Sequence, residues 1–337
     1  MTSPVEGPVE GSAEGLAGST AAGSVDVVTL GETMALVAAT TTGSFAVGAP
    51  ARISFGGAET NVAIGLSRLG HSATWIGRLG ADPLGHLVKD ALRGEGVDVS
   101  HVRTDAEVPT GLMLREHRTA DRVRVSYYRR GLAGSRLTPD DVDTGLVAAA
   151  RTLHVSGITP ALSESARAAV HTAVDAARAA GVPVSFDFNY RAALWSVTEA
   201  GAAFRDLVAA ADIVFAGDEE AAMVVPAGSV EEVAKELAAL GPAQVVLKRG
   251  AAGAYAVVDG ESFTEPALAV SLIDPVGAGD AFVAGYLSAM LDGLDPAQRL
   301  RRGNVCGAFA VSVAGDWEGL PRRSELATMD ATENVAR

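Results

Sequence analysis

The stretch that decides the fold is Asp274-Pro275-Val276-Gly277-Ala278-Gly279-Asp280, and the apolar run Ala281-Phe282-Val283-Ala284-Gly285-Tyr286-Leu287 follows it directly. The pattern predicts a glycine-rich turn that opens a helix. Glycines let the chain turn tightly and leave its N–H groups uncovered. A helix start adds unpaired N–H donors and the positive end of the helix dipole. The segment therefore predicts a site for a phosphate, or for negative charge that develops on one.

Asp280 puts a carboxylate where an anion would bind, so its presence needs a reason. One reason is that it acts as a general base on a hydroxyl group that attacks a phosphate. The alternative is that Asp280 only caps the helix, because Asp is a favoured N-cap residue. This segment alone favours neither interpretation, and the rest of the chain has to decide between them.

The composition limits what this chain is expected to bind. It has 337 residues, enough for one large domain or two small ones, and 48% of them are hydrophobic. Its formal net charge of −14 argues against nucleic acid and anionic membranes as partners. An anionic small molecule is also disfavoured unless basic side chains converge on one site. The single cysteine, Cys306, excludes an internal disulfide, and the six histidines show no metal-ligand spacing.

The two ends of the chain are predicted to lie outside the fold. Residues 1–24 are rich in Gly, Ser, Ala, Pro and Glu without apolar periodicity, which predicts a disordered tail. A second tail is predicted at 331–337, which leaves 25–330 as the folded domain. No apolar run is long enough to span a bilayer, and the N-terminus lacks the pattern of a signal peptide. We therefore expect a cytoplasmic protein.

Strand-like and helix-like segments alternate along most of the chain. Val25 to Glu32 is typical of a buried strand, and Asn61 to Leu69 has helical apolar spacing. Further strands are predicted at 74–77, 152–156, 182–187, 212–215, 244–248 and 254–258. Further helices are predicted at 85–93, 163–180, 198–210, 230–240, 279–291 and 297–314. This order predicts an α/β fold with a mostly parallel sheet between two layers of helices.

Two regions break the alternation. Short apolar segments within 33–55, such as Ala51 to Phe55, are typical of small exposed strands. Within 110–130, two strand-like runs flank the polar turn Thr119-Ala120-Asp121-Arg122, which predicts a hairpin. We expect these strands to form a small separate β-sheet that acts as a lid.

Two segments carry polar groups beside predicted turns. Gly56-Gly57-Ala58-Glu59-Thr60-Asn61 is a second glycine turn that opens a helix. It predicts either ordinary capping or a close approach of a ligand, with Asn61 hydrogen-bonded to it. Ser185 to Arg191 follows a strand, where open α/β sheets place their ligands. Arg191 there is suited to a carboxylate or phosphate, although a surface salt bridge is the simpler interpretation.

The end of the predicted hairpin and a later glycine turn are two more candidates. Strand alternation sends Tyr127 and Arg129 to one face, where they would close over an anionic substrate or simply lie on a solvated sheet. The segment Lys248 to Ala254 turns through Gly250 and Gly253 and is suited to cover a nucleotide. It is not a Walker A motif, and no Gly-x-Gly-x-x-Gly follows the first strand, which argues against a nicotinamide dehydrogenase.

Taken in order, these segments resemble the ribokinase-like (PfkB) family of sugar kinases, from about Val25 to about Leu326. The most specific motifs are Gly56-Gly57-Ala58 with Asn61, and Asp274 to Asp280. Within the family the chain is similar to 2-keto-3-deoxygluconate kinases. That similarity rests on 57–61, 127–129, 154–159, 187–191 with Leu194-Trp195, and Gly315-Asp316 before Gly319-Leu320-Pro321. The resemblance implies a three-layer α/β/α core and a small β-sheet lid.

The resemblance also implies a set of site residues. Asp280 would be the catalytic base, and the amides of Gly277, Ala278, Gly279 and Asp280 would form an anion hole. The substrate would be held by Gly57, Asn61, Tyr127, Arg129, Arg191 and Asp316. The nucleotide would lie near Asn189, Lys248, Gly250, Gly253 and Asn304. ATP and Mg²⁺ are the implied cofactors, with Glu220 near the metal, although Gly217 stands where the family often has Asn. A homodimer through the lid is implied as well.

The charge pattern agrees with a sugar acid as the substrate. A neutral hexose needs no pair of arginines, whereas Arg129 and Arg191 converging on one pocket would let an anion bind to this acidic chain. The expected reaction is phosphorylation of the terminal hydroxyl of 2-keto-3-deoxygluconate. The alternatives are a fructokinase or another sugar kinase of the family, and an inactive regulator that binds a sugar or a nucleotide.

Overall fold

The computed structural model describes residues 25–119 and 122–330. The predicted tails at 1–24 and 331–337 lie outside the described residues, as do the two central residues of the predicted hairpin turn. Within the described part of the chain the strands form two sheets. Their bounds are β1 Val27–Leu30, β2 Met34–Thr42, β3 Ala51–Gly56, β4 Ala73–Gly80, β5 Val102–Asp105, β6 Leu112–Thr119, β7 Arg122–Tyr128, β8 Thr152–Ser156, β9 Val184–Asp187, β10 Ile213–Gly217, β11 Gln244–Lys248, β12 Ala254–Val258 and β13 Glu261–Glu265.

The large sheet has the strand order β13-β12-β11-β10-β9-β8-β1-β4-β5. The strands from β11 to β5 in that order run parallel, and β12 and β13 add an antiparallel edge. The parallel strands therefore end at one common edge of the sheet. That edge is where folds of this class bind their ligands.

Helices cover both faces of the large sheet. Their bounds are α1 Ala58–Arg68, α2 Pro83–Gly94, α3 Thr144–Ala149, α4 Glu164–Ala180, α5 Val197–Ala210, α6 Asp218–Ala221, α7 Val230–Ala238, α8 Ala278–Leu291 and α9 Pro296–Val311. One apolar core packs α3, α4, α5 and α7 against the sheet, and the other packs α1, α2, α8 and α9. Neighbouring residues of one strand serve opposite cores, as Val27 and Val28 do, because successive side chains alternate. Along residues 25–119 and 122–330, no helix combines the length and apolarity needed to cross a bilayer.

The small sheet has the order β3-β2-β6-β7 and is built from the two regions that break the βα alternation. β6 and β7 pair antiparallel, which confirms the hairpin, and β2 and β6 pair parallel. Met34, Leu36 and Met113 are buried together in a small apolar cluster on one face. On the opposite face Ile53 is 57% exposed and Tyr128 is 54% exposed.

Several boundaries differ from the sequence-based prediction for identifiable reasons. α1 begins at Ala58 and not at Asn61, because the glycine turn is shorter than predicted. β13, with the sequence Glu-Ser-Phe-Thr-Glu, was not predicted because an exposed edge strand lacks a continuous apolar pattern. β2 is mostly buried, unlike the exposed strand that was predicted, since it lies between β3 and β6. Cys306 and His154 are both buried.

Candidate active site

Asp280 lies in the first turn of α8, and its side chain does not cap the helix. The N-cap is Gly277, with φ of 76° and no side-chain capping hydrogen bond. The Asp280 carboxylate is buried and accepts a hydrogen bond of 2.8 Å from Asn61 Nδ2 and one of 3.0 Å from Asn189 Nδ2. A residue that only capped the helix would accept from the backbone of α8 instead. The structure therefore favours a functional role for this carboxylate.

Two segments that are distant in the sequence hold the Asp280 carboxylate. Asn61 lies in α1, and Asn189 follows β9 in the left-handed region with φ of 41°, which Asn tolerates better than most residues. Burial raises the pKa of Asp280, and the hydrogen bond from Asn61 and the charge of Arg191 limit that rise. A raised pKa makes the ionised carboxylate a stronger proton acceptor.

The turn before α8 is closely packed against the segment that follows α9. A Cβ atom at Gly277 would lie 1.9 Å from the backbone oxygen of Asp316, so no side chain fits there. A Cβ atom at Gly279 would lie 3.3 Å from Lys248 Nζ, which places that ammonium beside the helix start. The first N–H groups of α8 and the lysine charge together suit an anion.

One cavity of about 110 Å³ brings the predicted substrate residues together with Asp280. Its lining includes Gly57, Asn61, Tyr127, Arg129, Arg191, Gly277, Asp280 and Asp316. Arg129 Cζ lies 5.7 Å from the centre of the Tyr127 ring, so the predicted pairing of these two side chains on one face is correct. A wider cavity of about 580 Å³ shares Tyr127, Arg129 and Arg191 and also contacts Arg130 and Tyr190.

The arginines of this cavity differ in how their charges are compensated. Arg129 forms an ion pair with Glu32, a residue that sequence reasoning missed. Arg115 of β6 forms an ion pair with Asp316 and lies 3.4 Å from Asp274, and it was missed too. Arg191 donates to the backbone oxygen of Tyr190 at 3.2 Å, and it has no acidic partner among the described residues.

Both missed residues had a signal in the sequence. Glu32 follows the first buried strand, at the sheet edge where ligands bind, and it is only 2% exposed. Arg115 is a charged residue inside an apolar strand pattern, and it is 4% exposed. Charged side chains are almost never fully buried without a partner, so each position indicated a buried ion pair.

A second group of charges interacts with Asp280. Lys248 Nζ lies 2.7 Å from each carboxylate oxygen of Asp187. Burial raises the pKa of Asp187 to about 6, against the effect of the Lys248 charge. Burial alone would lower the pKa of Lys248, but the carboxylates of Asp187, Glu220 and Asp280 outweigh it and raise that pKa. The lysine therefore stays charged.

Asn304 and Gly253, both predicted to lie near the nucleotide, contact the backbone of residues 265–266. Asn304 donates to the backbone oxygens of Glu265 and Pro266 at 3.1 and 3.0 Å. A Cβ atom at Gly253 would lie 2.1 Å from the same Glu265 oxygen, so the turn needs glycine there. Gly250 lies in the same turn with φ of 54° and open space around it. Asn304 thus holds the segment that lies against the Gly253 turn.

The structure offers no ready-made protein cage for a metal. No group of three or more His, Cys, Asp or Glu side chains suited to a metal occurs within residues 25–119 and 122–330. Glu220 accepts from the backbone N–H groups of Tyr190 and Gly217, each at 2.7 Å. Mg²⁺ usually keeps several waters and binds through one or two carboxylates and the substrate phosphates, so Glu220 is the carboxylate that would hold it here.

Glu59 is a further buried carboxyl group that the sequence analysis did not single out. It is fully buried in α1 and accepts from Ser156 Oγ at 2.6 Å and from Thr159 Oγ1 at 2.7 Å. Burial raises its pKa to about 7. The contact joins the helix that carries Asn61 to the end of β8.

The geometry suits phosphoryl transfer, because a buried carboxylate in the first turn of a helix and a polar cavity lie together on one sheet edge. The model of the "pfkB family carbohydrate kinase" matches residues 25–323. The chain belongs to the pfkB family of carbohydrate kinases. The kinase thus has the ribokinase-like fold and the ATP-dependent sugar phosphorylation that its motifs implied.

Known proteins similar to this kinase cover nearly all of it. It is 37% identical over 307 residues to a 2-dehydro-3-deoxygluconokinase of Bacillus subtilis (strain 168), which spans 90% of this chain and 95% of that protein. A 2-dehydro-3-deoxygluconokinase of Thermoproteus tenax is 38% identical over 306 residues, spanning 89% and 93%. The crystal structure of a putative ribokinase II from E. coli in complex with ATP and Mg²⁺ superposes with a TM-score of 0.84 at 26% identity, covering 91% and 99%.

Proposed function

We propose that this kinase transfers the γ-phosphate of ATP to the terminal hydroxyl group of 2-keto-3-deoxygluconate. The observation that carries the proposal is Arg191, an arginine without an acidic partner among the described residues, in the same cavity as Asp280. A sugar acid with its terminal hydroxyl at Asp280 would turn its carboxylate towards Arg191, which lines the same cavity. The names of the Bacillus subtilis and Thermoproteus tenax relatives support the same substrate.

Asp280 would act as the general base. The substrate hydroxyl gives its proton to the carboxylate as its oxygen attacks the γ-phosphorus, and the bond from that phosphorus to the leaving ADP oxygen breaks. The loose transition state of phosphoryl transfer makes positioning and charge stabilisation the main contributions. The amides of 277–280 would stabilise the charge on the transferred group, and one such donor is worth about 10²–10³ in rate.

The nucleotide would lie on the Lys248 side of Asp280. Lys248 would supply a positive charge to the phosphates, with Asn189 nearby, and the turn with Gly250 and Gly253 would lie against the base and ribose. Asn304 would support that turn through its contacts with 265–266. Mg²⁺ would neutralise phosphate charge, and Glu220 would reach it through water.

A panel of acceptors with ATP and Mg²⁺ tests the substrate. ADP release should be fast with 2-keto-3-deoxygluconate and slow with fructose and ribose. Equal or faster turnover of fructose would identify a neutral-sugar kinase instead. Ligand-dependent thermal stabilisation without any turnover would identify a binding regulator.

We also propose that the small sheet acts as a lid and pairs with its copy in a homodimer. Its outer face carries Ile53 and Val37 side by side in the register, with Leu114 next to Val37, and it ends at the exposed Tyr128. Ile53→Glu should convert a dimer to a monomer in analytical ultracentrifugation, whereas Val197→Glu, at an exposed site on α5, should not. A wild-type monomer would contradict the dimer.

Fractionation of cells should find the kinase in the cytoplasm.

A further inference from the structure

Glu32 is a buried carboxylate in the wall of the catalytic cavity. It follows β1 at the sheet edge, is 2% exposed and lines the same cavity as Asp280. Its Oε2 forms an ion pair with Arg129, whereas Oε1 receives no hydrogen bond from the described residues. Buried polar atoms nearly always have hydrogen-bond partners, so Glu32 Oε1 requires an explanation.

The neighbouring guanidinium of Arg129 also has a buried atom without a hydrogen-bond partner among the described residues. This atom is Nε, an N–H donor. The ion pair therefore leaves at least one unused acceptor and one unused donor beside each other in the cavity wall.

The backbone around Glu32 keeps its side chain in this place. A Cβ atom at Gly134 would lie 2.3 Å from Glu32 Cγ, and one at Gly111 would lie 3.5 Å from Glu32 Oε1. Only a chain that passes without a side chain at Gly134 leaves room for this carboxylate. The Glu32 side chain thus occupies the space that Gly134 leaves free.

A hydroxyl group is the ligand group that satisfies both atoms at once, because it donates one hydrogen bond and accepts others. A carboxylate would satisfy Arg129 only, and Glu32 would repel it. Arg115 is likewise compensated, by Asp316 and Asp274, which leaves Arg191 as the cavity arginine without an acidic partner in the described chain.

We propose that Glu32 determines substrate specificity by accepting a hydrogen bond from a mid-chain hydroxyl group of the sugar acid, which in turn accepts one from Arg129. Arg191 is then the main contact of the substrate carboxylate. The assignment rests on the proposed sugar kinase function, and it states which part of the substrate each charged residue binds. It predicts a preference for substrates with a hydroxyl group at one particular mid-chain carbon.

The test compares kcat/KM of wild type and Glu32→Gln on 2-keto-3-deoxygluconate and on its 4-deoxy and 5-deoxy analogues. Wild type should lose about 10- to 100-fold on one analogue, the usual effect of a hydrogen bond to a charged group. Glu32→Gln should lose a similar factor on the full substrate and little more on that analogue. An equal loss on all three substrates would show that Glu32 only supports Arg129, and it would overturn the proposal.

Two further variants keep the test decisive. Glu95→Gln breaks another glutamate–arginine pair, with Arg68 at 2.8 Å, outside the cavity, and should leave the substrate ratios unchanged. If Glu32→Gln fails to fold, Glu32→Asp retains the charge and withdraws it by one methylene. Its kcat/KM on the full substrate should likewise fall close to its kcat/KM on the deoxy analogue. If wild type prefers another sugar, the proposed substrate fails, and the same comparison with deoxy analogues of that sugar still decides the role of Glu32.

Discussion

Asn61 Nδ2 lies 2.8 Å from Asp280 Oδ2, although 219 residues separate the two in the chain. The contact joins α1 to the first turn of α8, and Asn189 donates to the other carboxylate oxygen. Asp280 is therefore held from both sides. A carboxylate fixed in this way presents a defined lone pair to an incoming hydroxyl group.

Asp280→Asn should retain the fold and ATP binding and lose about 10²–10⁴-fold in kcat, because the amide cannot accept the proton. Steady-state kinetics with a nucleotide-binding assay would measure both quantities. Asp90→Asn, on the exposed surface of α2, is the control that should behave as wild type. Near-normal turnover of Asp280→Asn would rule out its role as the base.

Asn61→Ala should move the acidic limb of the pH profile of kcat/KM to higher pH. The hydrogen bond from Asn61 lowers the pKa of Asp280, so its removal raises that pKa, and the base must be ionised to act. Asn189→Ala should act in the same direction, since its hydrogen bond also lowers the pKa of Asp280. Unchanged profiles in both variants would mean that another group controls the limb.

Arg191→Ala should raise KM for the sugar acid about 10- to 100-fold and leave KM for ATP nearly unchanged. The physical reason is the loss of the cavity arginine that has no acidic partner among the described residues. Arg130→Ala removes an exposed neighbouring arginine of the wider cavity and is the matched comparison, with a smaller effect. Equal changes in both Michaelis constants would argue against a carboxylate contact.

Arg115→Met should lower the free energy of unfolding by about 3–5 kcal/mol, because it leaves Asp274 and Asp316 buried without their common cation. Urea denaturation measures the loss. Adding Asp316→Asn to Arg115→Met should recover part of it. Arg93→Met, which breaks an exposed pair with Asp90, should cost at most about 1 kcal/mol. A similar cost for both single variants would contradict the buried role of Arg115.

Glu59→Gln should make stability less dependent on pH. Burial raises the pKa of Glu59 to about 7 from 4.5, so the folded protein holds this proton more tightly than the unfolded chain does. Its contribution to stability is complete below pH 4.5 and is lost as the pH rises through 7. Between pH 4.5 and 7 the free energy of unfolding should fall by up to about 3 kcal/mol more for wild type than for Glu59→Gln. Parallel pH curves for the two proteins would refute this assignment, and Glu236→Gln on the exposed face of α7 is the control.

The sequence predicted the large sheet well because its parallel strands are continuous apolar runs. β8, β11 and β12 lie at the predicted residues, since buried strands between helices have a clear pattern. The cavity was predicted less completely. Asp280 and Arg191 stand in recognisable turns, whereas the partners of Arg129 and Arg115 come from distant segments. Such ion pairs depend on three-dimensional packing that local patterns do not encode.

The sequence positions of Asn61 and Asp280 determine when this hydrogen bond can form during protein synthesis. The two residues are separated by 219 positions. At ribosomal rates of about 5–20 residues per second, roughly 10–40 s pass between their appearances. Until α8 leaves the ribosome, α1 lacks the helix with which it packs most extensively. Asn61 then also lacks the Asp280 carboxylate to which it donates a hydrogen bond. A nascent chain therefore lacks the proposed general base until more than four-fifths of it has been made.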